Sequence, residues 1–282
     1  MWLLPLALVL CSAGLHASWN LIVKSEVDKL FSGWLTVLTP SLILSPALFV
    51  TGLPPREAWP FLLGSGALES LYVVALTRAY TYGDLSVVYP VARGLAPVFV
   101  AMAAPIALGE RLSPLAMLAI LLVGGGISWL GFSAGRSATR VAALLWAVTT
   151  AALIASYSIV DKAGVSRSHP LAYIITLFGL TAVIMTPYVL QQREFQQLRA
   201  IWRLRWRILV AGGLLSFGAY LLVLIAMRLT QVSYIAALRE SSVIIATLLG
   251  WRVLKEGFGG RRLAASTLVT LGLFLLVLAM RG

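Results

Sequence analysis

The chain has 282 residues, 60% of them hydrophobic and 11% charged, and its 22 Lys and Arg against 10 Asp and Glu leave a formal net charge of +12. Soluble domains carry about 45–50% apolar and about 25% charged residues, so this composition excludes a soluble globular protein and indicates an integral membrane protein. Most of the positive charge lies in short gaps between apolar segments, where it reads as anchoring against anionic lipid headgroups and not as a nucleic-acid surface.

Ten apolar spans are expected, at about 2–23, 32–52, 59–80, 85–108, 113–133, 141–161, 170–190, 207–227, 232–254 and 262–280. Each is near the ~20 residues that cross a ~30 Å hydrocarbon core as a helix, which makes the fold class all-α. The first span holds Cys11, the one cysteine, so no intramolecular disulfide and no zinc cluster is expected. No basic stretch precedes the run LVLC (8–11), and bulky Leu10 stands before the cysteine. Neither a lipoprotein nor a cleaved signal peptide fits, and the span is read as staying in the bilayer. His16 lies three and four residues before Trp19 and Asn20, on one helical face. It serves packing and hydrogen bonding, or a proton relay. Lys24, at the end of this span, and Lys162, at the end of the sixth, are expected to snorkel to the interface.

In the third span Glu69 is either a neutral, hydrogen-bonded buried acid or a proton-coupling group. The fourth, LSVVYPVARGLAPVFVAMAAPIAL, carries one charge, Arg93, near its middle. A charge there costs roughly 2.5–3.5 kcal/mol even on lenient insertion scales. Two readings stay open. Arg93 is a structural arginine satisfied by carbonyls or a carboxylate, or its planar fork clamps an anionic group of a substrate. Tyr89 lies one turn earlier on the same face, and Pro90 and Pro97 weaken the local helix bonding, which transporter helices tolerate where they line a cavity. After the fourth and ninth spans, Glu110 and Glu256 are expected to lock helix ends with neighbouring Arg111 or Lys255. The run GGG (124–126) is expected to allow close helix packing. The polar, basic gap QQREFQQLRAIWRLRWR (191–207) is expected to lie on the membrane surface as an amphipathic segment. Arg239 and Glu240, in the ninth span, point about 100° apart on a helix, so one can pair structurally while the other faces a cavity.

The chain reads as one unit written twice. LHASWNLIVK (15–24) matches LIASYSIVDK (153–162) at an offset of 138, and Arg93 and Glu110 match Arg239 and Glu256 at an offset of 146. The expected units are 1–138 and 139–282, each with five spans, so the second enters the membrane inverted relative to the first. Inverted halves are a transporter signature, with the substrate at their interface near the midplane. Gaps after odd-numbered spans carry 14 Lys and Arg and the other side carries six, with Arg93 and Arg239 completing the 22. The positive-inside rule then puts both termini outside. There is no Walker A motif, no HExxH and no metal-ligand cluster, and only His16 and His169 supply imidazole, so neither an enzyme nor a cofactor is expected.

HASWNLIVK (16–24), ALTRAYTYGDLSVVYPVARGLAP (75–97), LGERLS (108–113), YIAALRESS (234–242) and LKEG (254–257) resemble the EamA-like permeases of the drug/metabolite transporter superfamily. The resemblance covers the whole chain. It implies the ten-helix, two-repeat plan, a bacterial inner-membrane location, and transport, often export, of a small metabolite without ATP hydrolysis. The HAxWN start is similar to a branch linked to phosphonate-utilisation genes. Many relatives are drawn with both termini in the cytoplasm, opposite to the charge count. Together these readings give a secondary transporter of a small anionic or zwitterionic metabolite, in contact with membrane lipid and with possible proton coupling. Arg93, Tyr89, Arg239, Glu240, Asn20 and Trp19 are its candidate binding residues, and Glu69, Glu240 and His16 its candidate coupling groups. The alternative is a flippase for a lipid-linked anionic carrier, which shares the anion clamp and differs in needing a lateral opening to lipid.

Overall fold

The computed structural model describes residues 2–24, 28–83, 85–132, 138–192, 194–242 and 260–281. Among these residues all regular structure is helical. The helices are α1 (Leu3–Lys24), α2 (Lys29–Leu44, extended by a 3₁₀ turn at Ser45–Ala47 and an α-turn at Leu48–Thr51), α3 (Trp59–Tyr82), α4 (Leu85–Leu108), α5 (Pro114–Phe132), α6 (Ala138–Val165), α7 (Pro170–Gln192), α8 (Phe195–Leu229), α9 (Val232–Arg239) and α10 (Gly260–Ala279). Six stretches are long and apolar enough to cross a membrane: Leu30–Thr51, Arg56–Tyr82, Val88–Leu108, Val141–Val165, Pro170–Gln192 and Gln196–Leu229. Leu3–Trp19, Pro114–Trp129 and Thr267–Ala279 are shorter apolar helices. Large apolar side chains stand in the open, with Phe49 95%, Val50 90%, Ile106 90% and Leu204 84% exposed. A face of this kind is stable against lipid tails and not against water.

Helix ends follow local chemistry. Asp28 caps α2, its Oδ1 accepting from the Leu30 and Phe31 amides at 3.1 Å each. Ser113 Oγ accepts from Ala116 N–H at 3.2 Å, with Pro114 in the first turn of α5. Gly109 takes the left-handed φ of +68° that ends α4, as a C-terminal glycine does. The basic gap departs from expectation. Residues 195–207 form the beginning of α8 and not a separate surface segment. They contain no Gly or Pro, and Gln, Arg, Leu and Ala are good helix formers, so nothing stops the helix. At 35 residues α8 is about 52 Å long, and its basic N-terminal turns project beyond a ~30 Å apolar slab. Helix α6 likewise runs to Val165, one turn past its expected end at 161.

Most major pairings join a helix before residue 133 to one after 137. Helix α3 packs on α6 as α1 packs on α8; α2 meets α8 as α7 meets α3; and α2–α7, α5–α10 and α4–α9 meet across the middle. Exchanging α1–α5 with α6–α10 maps this set onto itself. Within the first five helices α4 lies tightly on α5. A Cβ built on Gly94 would stand 2.7 Å from the Gly124 carbonyl oxygen and 2.6 Å from Ser128 Oγ, and one on Gly124 would stand 2.5 Å from the Gly94 oxygen. Of the GGG run, Gly124 and Gly126 serve close approach, while Gly125 has nothing within 4 Å of such an atom.

Candidate functional site

The middle of the molecule collects charges on helices that are otherwise apolar. Helix α4 is continuous through Pro90, Pro97 and Pro105 and carries Arg93 into the interior. Helix α9 stops at Arg239, because the Glu240 amide bonds back to the Ala237 carbonyl at 3.1 Å in a tight turn. Residues 241 and 242 are helical again. At this break Arg93 Nη2 meets Glu240 Oε1 at 3.0 Å, the two side chains 9% and 3% exposed. Burial this deep leaves neither charge hydrated, and each supplies the other's counter-ion. The pair leaves polar capacity unused: Arg93 Nε, Glu240 Oε2 and the hydroxyls of Ser241 and Ser242 are buried without hydrogen-bond partners.

Arg239 takes the other direction, as adjacent helical residues must. It is half-buried, its guanidinium carbon 5.5 Å from the centre of the Tyr220 ring, a cation–π placement. Tyr220 belongs to an aromatic group in which Tyr72 meets Tyr157 edge-on at 5.9 Å, Tyr157 meets Tyr220 at 6.5 Å, and Phe178 stacks on Tyr220 at 6.3 Å. Tyr89 is half-buried within electrostatic reach of Arg93 and Glu240. On α1, His16 Nδ1 accepts from Trp19 Nε1 at 2.9 Å, the rings 5.5 Å apart and nearly perpendicular, and the imidazole lies within reach of Arg93 and Arg239. The side chain of Asn20 and all of Glu256 lie outside the described residues. The structure therefore gathers Arg93, Tyr89, Arg239, Glu240 and His16 in one region. It sets Arg93 against Glu240.

A second group lies where α3 crosses α6. Glu69 Oε2 accepts from Thr181 Oγ1 of α7 at 2.9 Å. Facing it is Asp161, fully buried, one oxygen accepting from Tyr173 Oη at 2.9 Å and the other from Tyr220 Oη. Asp161, Tyr157, Tyr173 and Tyr220 were not candidates from sequence. Ending the sixth span at 161 put Asp161 at a boundary, whereas the extra turn of α6 puts it inside. Its one signal was the acid in LIASYSIVDK where the matching LHASWNLIVK has Val23.

Two expectations at helix ends need correction. Glu110 does not pair with Arg111. Its carboxylate reaches across 122 residues to the start of α9, accepting from the Val232 amide at 2.5 Å, the Ser233 amide at 3.3 Å and the Ser233 hydroxyl at 2.6 Å. Free amides and the positive end of the helix dipole make that N-terminus a better partner than an exposed arginine. Lys162 does not snorkel. Its ammonium donates to the Met227 carbonyl and, at 3.0 Å, to the Thr230 carbonyl, at the C-terminal end of α8. The two side chains thus hold both ends of the Thr230–Gln231 turn. Gln231 Nε2 adds a bond to the Arg111 carbonyl at 3.1 Å. On the same side a mouth of about 400 Å³ is lined by Thr51, Ser166, Arg167, His169 and Arg228.

The family model of the EamA-like transporter family matches residues 3–132 and again 141–278. A solved structure described only as "Crystal structure of protein" shares the fold, with a TM-score of 0.80 over 98% of this chain and 97% of that chain at 19% identity. It is one of 29 matching chains of known structure. Among curated proteins none matches.

Proposed function

The chain belongs to the EamA-like transporter family, a family of membrane transporters and not of enzymes, and from that premise we propose that it is a secondary transporter of a small anionic or zwitterionic metabolite. Ten spans in two inverted halves, 1–138 and 139–282, enclose the substrate at the Arg93–Glu240–Arg239 centre, and alternating access exposes that centre to each side in turn. One observation carries the reading. A buried ion pair stands at the break of α9 with Arg93 Nε and Glu240 Oε2 unpartnered among the described residues, and a third charge, Arg239, lies against an aromatic face. Buried polar atoms are nearly always partnered, and a transported molecule with both donors and acceptors satisfies these. Arg239 takes its anionic group in a planar fork, while Tyr89 and Trp19 border the centre. The helix pairings that survive exchange of α1–α5 with α6–α10 support the two-fold plan. The physiological direction is export, across a bacterial inner membrane.

The test is a panel of labelled metabolites, phosphonates among them, carried into proteoliposomes with and without a pH gradient. Arg239→Gln should insert normally and lose at least about tenfold in transport, the ~1.4 kcal/mol worth of one charged contact. Arg239→Lys should recover part of it. Wild-type rates in Arg239→Gln would remove Arg239 from the site, and no carried compound in the panel would remove the substrate class.

Orientation rests on the 14-to-6 bias of basic residues, which puts both termini outside. In a Cys11→Ser background, a cysteine at exposed Ser166 should react with an impermeant thiol reagent on intact cells while one at exposed Gln197 stays protected. The reverse pattern would put both termini in the cytoplasm.

A further inference from the structure

Asp161 is the most deeply buried carboxylate among the described residues, at 0% exposure, and the substrate site just described does not use it. The groups facing it come from every helix around it. Helix α3 brings Glu69 and the buried Ser65 hydroxyl, which lies against Asp161. Helix α7 brings Tyr173, α8 brings Tyr220, and α9 brings Arg239 within electrostatic reach. On its own helix, Tyr157 lies one turn earlier, and Lys162 is turned away to the end of α8. Arg93 of α4 is engaged by Glu240 instead. Among the described residues no basic side chain forms an ion pair with Asp161 or Glu69. Two carboxylates at one crossing, Asp161 fully buried and Glu69 half-buried, both held by hydroxyl donors, call for a mobile positive charge between them.

We propose that Asp161, with Glu69 beside it, binds the coupling proton of transport, and that Tyr220 links this site to the arginine that takes the substrate's anion. The proposal rests on the transporter reading above. Its chemistry is a simple balance. An ionised Asp161 accepts from both tyrosine hydroxyls. One added proton turns one carboxyl oxygen into an O–H donor and weakens that oxygen as an acceptor, so the tyrosine hydroxyl bonded to it is loosened. Tyr220 is the one with a second task, because its ring carries the Arg239 guanidinium. Protonation therefore moves the surface under Arg239, and by linkage an anion on Arg239 biases proton binding at Asp161 to the same extent. When the proton leaves to the other side, the carboxylate regains both hydroxyls. The arrangement is built for this site: Gly164 lies one turn beyond Asp161, and any Cβ there would collide with the Tyr173 ring that reaches it.

Two measurements test the proposal, and the first needs no substrate. Infrared difference spectra of the purified protein in lipid, taken across a pH series, should show a protonated carboxyl band that Asp161→Asn removes or halves, and dicyclohexylcarbodiimide should modify Asp161 or Glu69 in the same pH range. Tyr220→Phe keeps the ring under Arg239 but deletes the hydroxyl, and it should move the midpoint of that band by about one pH unit, the size of one hydrogen bond to a charged group. Should Asp161→Asn not insert, Tyr220→Phe and Tyr173→Phe carry the test alone. Absence of a titrating band, or a midpoint unmoved by both tyrosine variants, overturns the proposal. The second measurement uses a metabolite that the panel shows to be carried. Asp161→Asn should lose gradient-driven accumulation and keep counterflow exchange, whereas retained accumulation would make Asp161 a packing group. A titrating band together with an empty panel would defeat the substrate reading and leave the proton site standing.

Discussion

Glu240 and Asp161 are both fully inside the molecule, yet they are held in opposite ways. Glu240 sits where α9 breaks and faces a guanidinium at 3.0 Å. Asp161 sits one turn before the end of a continuous helix and faces two phenol hydroxyls. The first carboxylate is half of a neutral pair, so its charge is a condition of the partner's burial. Among the described residues no basic side chain pairs with the second, and hydroxyls can turn to meet a change of charge. The same functional group faces a cation in one crossing and hydroxyls in the other, and the difference lies in the chemistry across the interface, not in depth.

Substitutions can break this contrast. The largest effect is expected from Glu240→Gln, which strands Arg93 in the interior. Loss of one member of a buried pair costs about 3–5 kcal/mol, read as a large drop in thermal stability of the detergent-purified protein. Arg93→Gln combined with Glu240→Gln should recover most of it. If the double variant is as unstable as the single one, the pair is not what the charges are for. A middle effect is expected from Gly164→Ala, which forces Tyr173 away from Asp161 and overpacks α6 against α7. About 1–3 kcal/mol is the usual cost, while Gly125→Ala, with open space around it, should lie near wild type. The smallest stability change belongs to Asp161→Asn. The amide oxygen still accepts from one tyrosine, the amide nitrogen donates to the other after its hydroxyl turns, and no cation is left alone, so the melting temperature should move little. A collapse in Asp161→Asn as large as in Glu240→Gln would erase the distinction between the two carboxylates.

Much of the frame was legible beforehand. The apolar runs located helices α1 to α8 and α10 to within a few residues at most ends, because length and hydropathy decide apolar helices before any contact is known, while most of the ninth expected span, 232–254, lies outside the described residues. Arg93, Arg239 and Glu240 stood out because charge in an apolar run is expensive. Partnership was harder to read. Glu110 finds its amides 122 residues away, and Lys162 its carbonyl at a distance of 68. Sequence proximity suggested Arg111 and the lipid interface instead. Asp161 was hidden by one misplaced helix end. The basic stretch before α8 was misread for a related reason: polarity says where a segment cannot be buried, but only breakers say where a helix must stop.

The packing of α1 against α8 sets a timetable for making the protein. Ser12 Oγ donates to the Ala219 carbonyl, 207 residues further along the chain, at 2.7 Å. At about 5–20 residues per second, the ribosome delivers that acceptor roughly 10–40 s after Ser12 has emerged. Through that interval α1 is in the bilayer with its main neighbour unmade, and α3 waits in the same way for α6. Assembly therefore completes late, and the early helices depend on lipid, insertion machinery or one another to cover their polar faces until the later ones arrive.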